Sequence, residues 1–165
     1  MIDRNFAIVM AAYNAEMNRR IFAAAWQLTD AERRQDRGAF WISIHGTLSH
    51  LLWGDQIWMS RFAGWPNPSV SMKNSGSLHD RFETLETART DSDRGIELWA
   101  GTISQEWLVS ESTWYSGAAG REMCKPNRLL VVNFFNHQTH HRGQVHAMLT
   151  AAGKKTGDTD LLLMV

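Results

Sequence analysis

Two histidines four residues apart, with a third far upstream, are the side chains in this sequence best suited to chemistry. His137 and His141 lie in the segment 136–144. On a helix, a spacing of four places both imidazoles on one face, one turn apart, where a single cation can bind both. His50 is the natural third ligand. Three protein nitrogens with an open coordination position are typical of a reactive metal centre rather than a structural one.

The last long apolar pattern of the chain places these histidines among core positions. Its buried stripe is predicted to step through Leu130, Phe134, His137, His141, Gln144 and Met148. Burying an imidazole without a partner costs roughly 1–3 kcal/mol, so something must satisfy the two rings. A divalent cation does so and fixes their orientation. Two core histidines bonded to side chains or water are the alternative, and the pairing with a third candidate favours the metal.

His50 and His140 are less well defined by spacing. His50 lies off the centre of the apolar stripe of its helix, on a small and polar face that leaves room for a cavity. A partly exposed histidine bonded to solvent is the alternative, and spacing alone does not choose between them. His140 adjoins the pair in sequence. It could form a hydrogen bond that orients one of the metal ligands, or it could itself replace a ligand. The sequence does not decide between these roles.

Four long helices are predicted to position these groups. Apolar residues recur at alternating spacings of three and four in residues 3–28, 40–63, 78–103 and from after Pro126 to about 152. Gly64 and Pro66 end the second helix, and Thr29 with Glu32 forms a candidate capping box. The pattern predicts an all-α four-helix bundle that forms a single domain over residues 1–165.

Two segments fall outside this pattern. Residues 105–125 lose helical periodicity and are predicted to be a short irregular segment between the third and fourth helices. Trp107, Val109 and the pair Trp114 and Tyr115 are candidates there for short extended pieces. The aliphatic stretch 161–165 is expected to dock on the bundle or on a second subunit, because exposed aliphatic side chains at a terminus favour aggregation.

Composition excludes several classes of function. The 165 residues carry 17 basic and 17 acidic side chains without a basic stripe, so no nucleic-acid partner is expected. No apolar run reaches the ~20 residues that span a bilayer, and the N-terminus lacks the apolar core of a signal peptide. A cytoplasmic location is therefore expected. The single Cys124 excludes an internal disulfide and has no context that marks a nucleophile. Neutral nitrogen donors favour Zn, Ni, Fe or Co over Mg or Ca.

The sequence resembles the DinB family, also called DinB/YfiT-like, which comprises damage-inducible, metal-binding four-helix proteins and is distinct from the DNA polymerase that shares the name. Three stretches carry the resemblance: Tyr13, Asn14 and Asn18 in the first helix, residues 43–58 in the second, and residues 136–144 in the fourth. The resemblance implies that His50, His137 and His141 are the metal ligands and does not make His140 one. It also implies a homodimer.

The resemblance implies several activities. Some relatives are thought to be thiol S-transferases that use bacillithiol or mycothiol, and related proteins include a maleylpyruvate isomerase. The leading hypothesis is a metal-dependent enzyme acting on a small molecule, with a low-molecular-weight thiol as its substrate. The alternatives are a metal-dependent hydrolase or isomerase, a non-enzymatic stress-response protein with a structural or sensing metal, and a metal-free bundle.

Four further residues have candidate roles near this centre. Gln144, one turn past His141, could orient a bound ligand or form a hydrogen bond to a metal-binding histidine. Tyr13 and Asn14 either line the cavity from the first helix or serve interhelical packing and hydrogen bonding. Arg142 could reach an acidic group of a substrate or an acidic residue of the first helix, but a surface position is expected.

Overall fold

The computed structural model describes residues 2–163, and they are mostly helical. The α-helices are α1 (Arg4–Ala25), α2 (Asp30–Arg34), α3 (Ile44–Ala63), α4 (Phe82–Thr102), α5 (Gln105–Val109) and α6 (Asn127–Ala151). Two 3-10 helices lie at Met72–Ser77 and Leu161–Leu163. The four predicted long helices are present as α1, α3, α4 and α6, with ends that differ from the prediction by a few residues.

The helix starts follow from their capping side chains. The Thr29 hydroxyl and the Glu32 carboxylate form the predicted capping box ahead of α2. The predicted start of α3 at residue 40 is wrong. Ser43 is the N-cap, with its hydroxyl accepting a hydrogen bond from the backbone N–H of Gly46 at 3.0 Å, and Ile42 before it has a φ of +68°, which no helix contains. Residues 39–42 form a turn instead.

The segment between α4 and α6 is regular, so the prediction of an irregular segment is wrong. Trp107 and Val109 lie in the short helix α5, which Ser104 caps by accepting from the N–H of Trp107 at 3.0 Å. Strands β1 (Glu111–Ser116) and β2 (Arg121–Pro126) then pair antiparallel. Trp114 and Tyr115 are in β1, as predicted. A single helical turn and a two-stranded hairpin are too short to produce the periodicity on which the prediction relied.

Each of α1 and α3 packs against both α4 and α6. Their buried apolar side chains form two clusters at opposite ends of these helices. One contains Phe22, Leu48 and Phe82. The other contains Trp99 and Phe134, with several aromatic rings packed edge to face around Phe62.

A buried polar layer separates the two clusters. Its members come from all four long helices: Asn14, Asn18, Asp55, Arg89, Asp93, Gln138 and Arg142. Arg89 on α4 forms ion pairs with both carboxylates. Gln138 donates to Asp55 at 2.8 Å, which ties α6 to α3. Two carboxylates face two guanidinium groups, so the buried charges balance, as burial of ions requires.

Arg142 is part of this layer, and the expectation that it lies at the surface is wrong. Only 5% of the residue is exposed, and its guanidinium donates to the Asn14 side chain on α1. Burial lowers the pKa of Arg142 to about 10, so the group keeps its charge at neutral pH. The predicted stripe of α6 was too narrow, because it left out Gln138, Arg142, Val145 and Leu149, which are all buried.

Two of the C-terminal aliphatic residues, Leu162 and Leu163, do not dock on the helices of this chain. Leu162 is 87% exposed and Leu163 is 66% exposed. Met164 and Val165 lie outside the described residues. Docking of this stretch on a second subunit stays a prediction. Within residues 2–163, no helix has the length and apolar character needed to cross a membrane.

Candidate metal centre

The three histidines that the sequence analysis nominated come together where α3 packs against α6. His50 projects from α3, and His137 and His141 project from successive turns of α6. One nitrogen from each ring lies within 4.8 Å of the others. The ring centroids are 5.4 Å apart for His50 and His137, 4.7 Å for His50 and His141, and 4.5 Å for His137 and His141. No other group of three potential ligands occurs in the part of the chain that the structure describes.

Two of the rings are oriented by hydrogen bonds at Nδ1. His50 Nδ1 is hydrogen-bonded to Ser75 Oγ at 2.8 Å. His141 Nδ1 is hydrogen-bonded to Gln144 Oε1 at 2.8 Å. Metal-binding histidines usually have such a partner, because it fixes the tautomer and the ring orientation. In both residues the arrangement leaves Nε2 free to bind an ion.

His137 is held by close packing rather than by a hydrogen bond. Its Nδ1 is buried without a partner. The ring lies against Gly54 on α3, and a Cβ at position 54 would stand 2.6 Å from His137 Cε1. A side chain there would displace the ring. The unsatisfied imidazole is what a bound cation would relieve, so the residues present fit a divalent metal ion.

The electrostatics of the site keep the rings neutral and ready to bind a metal. Burial, with a smaller effect of the neighbouring imidazoles, lowers the pKa of His50 to about 3. Burial lowers the pKa of His141 to about 4, against the opposing effect of its hydrogen bond to Gln144. Burial also lowers the pKa of His137. At neutral pH each ring therefore offers a lone pair, which is the form that binds a transition metal.

The remaining predicted site residues occupy different positions. Gln144 contacts His141, as described above. His140 is exposed on α6 and does not join the group of three. Tyr13 donates its hydroxyl hydrogen to the backbone oxygen of Thr159 at 2.6 Å. Asn14 bonds to Asp93 at 3.3 Å within the polar layer. The Asn14 contact is an interhelical hydrogen bond, whereas the Tyr13 hydroxyl bonds to the segment that follows α6.

Three residues around the histidines were missed by sequence reasoning. Ser75 lies outside the four predicted helices, and Trp41 lies in a segment that is predicted to be helical. Trp41 stacks on His50, with ring centroids 4.1 Å apart and planes at 19°. Gly54 was noted only as a small residue on the face of His50. No spacing rule links any of the three to the histidines, because the contacts join separate elements.

The whole chain matches a family of known proteins. The sequence model of the DinB family, described as "DinB family", matches residues 1–165. Protein DinB of Bacillus subtilis (strain 168) is 25% identical over 158 residues, which cover 94% of this chain and 91% of that protein.

Proposed function

This chain belongs to the DinB family, and from that premise we propose that it binds one divalent transition metal ion through His50, His137 and His141. The observation that carries the proposal is the convergence of one nitrogen from each ring to within 4.8 Å. Neutral nitrogen donors favour Zn, Ni or Fe. The packing of α1 and α3 against α4 and α6 further supports a four-helix bundle as the scaffold of the centre.

The proposed activity is that of a metal-dependent enzyme on a small molecule, with transfer of a low-molecular-weight thiol as the leading reaction. Three protein ligands leave a coordination position open for a substrate. A metal ion in this position lowers the pKa of a bound thiol or water and so supplies a nucleophile near neutral pH. Gln144 accepts a hydrogen bond from His141 Nδ1–H at 2.8 Å and so orients one of the ligating rings.

Elemental analysis of protein purified without an affinity tag is the first test, and about one metal ion per chain is expected. The metal-loaded protein is then incubated with several low-molecular-weight thiols and a panel of electrophiles. Thiol conjugation that is lost in His141→Ala supports a transferase, whereas turnover of esters or amides without a thiol supports a hydrolase. Absence of turnover by a fully loaded protein contradicts the enzymatic proposal and leaves the metal proposal standing.

A second candidate is a non-enzymatic stress-response protein in which the metal is structural or sensing. The observation that favours it is the origin of the ligands, because an ion would link α3 to α6 across their interface. Chelation should then lower the melting temperature sharply, because binding energy becomes folding energy. An unchanged melting temperature after complete metal removal excludes the structural version.

We also propose that the chain forms a homodimer. Large apolar side chains are exposed at the 39–42 turn and in the C-terminal 3-10 helix, with Phe40 80% exposed and Leu162 87% exposed. Light scattering coupled to size-exclusion chromatography should give a mass near twice the 18.8 kDa of one chain. A mass of one chain at micromolar concentration contradicts the proposal.

A further inference from the structure

The His50 ring is held by two elements outside the helices that carry the three histidines. Trp41, from the 39–42 turn, stacks on the ring with centroids 4.1 Å apart. Ser75, from the 3-10 helix Met72–Ser77, is fully buried and reaches Nδ1 at 2.8 Å. The Trp53 ring lies nearly parallel to His50 at 6.0 Å. The position and plane of the ring are thus determined by its surroundings rather than by α3 alone.

The turn that carries Trp41 adopts a strained backbone. Ile42 has a φ of +68°, a conformation that β-branched residues rarely adopt. It is kept there by hydrogen bonds from its N–H to Ala39 O at 2.7 Å and from Arg37 N–H to its own carbonyl at 2.8 Å. Strain of this kind persists only where the surrounding structure determines it, and it is concentrated at functional sites.

Glycine at position 46 allows the turn to approach α3. A Cβ at Gly46 would collide with the carbonyl oxygen of Trp41, so no other residue fits this contact without moving the turn. From the 3-10 helix, a Cβ added to Gly76 would stand 3.4 Å from Trp41 Cε3. The half-buried indole therefore lies between His50 of α3 and the 3-10 helix that carries Ser75. The same packing brings both Trp41 and Ser75 to His50.

The Ser75 contact and the free nitrogen of His50 are linked through the tautomer of the ring. A neutral imidazole has one N–H donor and one lone-pair nitrogen. When Nδ1–H donates to Ser75 Oγ, the lone pair is on Nε2, the other ring nitrogen. The Ser75 hydroxyl can accept from Nδ1–H or donate to Nδ1, and a metal ion on Nε2 selects the first arrangement. In that arrangement Ser75 supplies the acceptor that Nδ1–H needs, while the stacked indole hinders rotation of the ring.

We infer that Trp41 and Ser75 are positioning residues of the proposed metal centre, which fix the orientation of His50 and supply an acceptor for its Nδ1–H when Nε2 binds the ion. The inference rests on the proposed metal-binding function. It goes beyond that proposal because it assigns a role to the turn 39–42 and to the 3-10 helix, neither of which contributes a ligand. Loss of either contact should lower metal affinity about 10–100-fold, the range typical of groups that orient a ligating histidine.

The test compares Ser75→Ala and Trp41→Leu with matched controls. Ser77→Ala changes an exposed serine of the same 3-10 helix, and Tyr115→Leu changes an exposed aromatic ring on β1. Zinc affinity is measured by competition with a chelator, and the visible absorption of the Co²⁺ form reports ligand geometry. Both test variants should bind zinc about 10–100-fold more weakly with an altered Co²⁺ spectrum, whereas both controls should match the wild type.

Conservative variants separate positioning from general stability. Trp41→Phe keeps an aromatic face and Ser75→Thr keeps a hydroxyl, so both should recover most of the affinity even if Trp41→Leu or Ser75→Ala fails to fold. Zinc affinity within twofold of the wild type in Ser75→Ala and Trp41→Leu, with His50→Ala defective, overturns this inference alone. A lower melting temperature of these two variants with an unchanged Co²⁺ spectrum also overturns this inference alone, because it indicates a loss of stability without a change in ligand geometry. Absence of metal binding by the wild type overturns the proposed function and this inference together.

Discussion

Replacing Gly54 by alanine is a direct test of the proposed centre, because it perturbs one ligand without removing any nitrogen. The added Cβ would lie 2.6 Å from Cε1 and 3.2 Å from Nδ1 of His137. Carbon atoms in contact stand ~3.5 Å apart, so the ring must move by about 0.9 Å. The distance between a metal ion and its ligand atom deviates from its usual value by only about 0.2 Å. The displaced ring therefore cannot keep its bond to an ion shared with His50 and His141.

The expected effect on metal binding is large and the effect on folding is small. A shift of this size should lower the metal affinity at least as much as the loss of an orienting contact does. That loss is about 10–100-fold, or about 1.4–2.8 kcal/mol of binding free energy. Alanine in place of glycine within a helix stabilises by ~1 kcal/mol, while overpacking costs about 1–3 kcal/mol. The free energy of unfolding of the metal-free protein should therefore fall by no more than ~2 kcal/mol.

Chelator competition and denaturant unfolding of the metal-free protein measure these two quantities separately. Gly101→Ala is the matched control, since a Cβ at this helical position of α4 meets no atom within 4 Å. It should leave the metal affinity unchanged. Wild-type zinc affinity in Gly54→Ala would refute the reasoning, because it would mean that His137 is not a ligand in the observed packing of α3 and α6.

Three further predictions concern the same region. His141→Ala should reduce bound metal to a small fraction by elemental analysis, while His140→Ala, one residue away and exposed, should keep it near the wild-type level; stoichiometric metal in His141→Ala would show that another nitrogen set is used. The melting temperature of the metal-free protein should fall as the pH drops from 6.5 to 4, because the unfolded chain takes up protons that the folded His50 (pKa about 3) and His141 (pKa about 4) refuse. His50→Ala should flatten this slope, and an unchanged slope would contradict the pKa assignment. Arg89→Met should lower the free energy of unfolding by about 3–5 kcal/mol by leaving buried carboxylates unpaired, whereas Arg94→Met on the same helix breaks only an exposed pair and should cost under ~1 kcal/mol by denaturant titration.

The parts of the site that could be predicted from sequence are those that depend on one helix. The spacing of His137 and His141 determines that both lie on one face of α6, whatever α6 packs against. His50 required the resemblance to a family, because nothing in its spacing relates α3 to α6. The structure then brings all three rings together.

The parts that could not be predicted depend on contacts between elements. The burial of Arg142 follows from its bond to Asn14 on α1, a partner 128 residues away. A lone arginine on a helix looks like a surface residue until that partner is known. The contact of Ser75 with His50 spans 25 residues and comes from a 3-10 helix, whose short length gives no periodic signal.

The metal centre and the polar layer occupy the same turns of the same helices. Gln138 follows His137 directly in α6, and Asp55 follows Gly54 in α3, so neighbouring residues serve the two features on adjacent faces of each helix. Apolar contacts between α3 and α6 are non-directional and tolerate a shift along the interface, whereas the 2.8 Å hydrogen bond between Gln138 and Asp55 does not. A slip of one helical turn, ~5.4 Å, would break that bond and separate His137 from His50 at the same time. The buried hydrogen bond therefore specifies the register that the three histidines need.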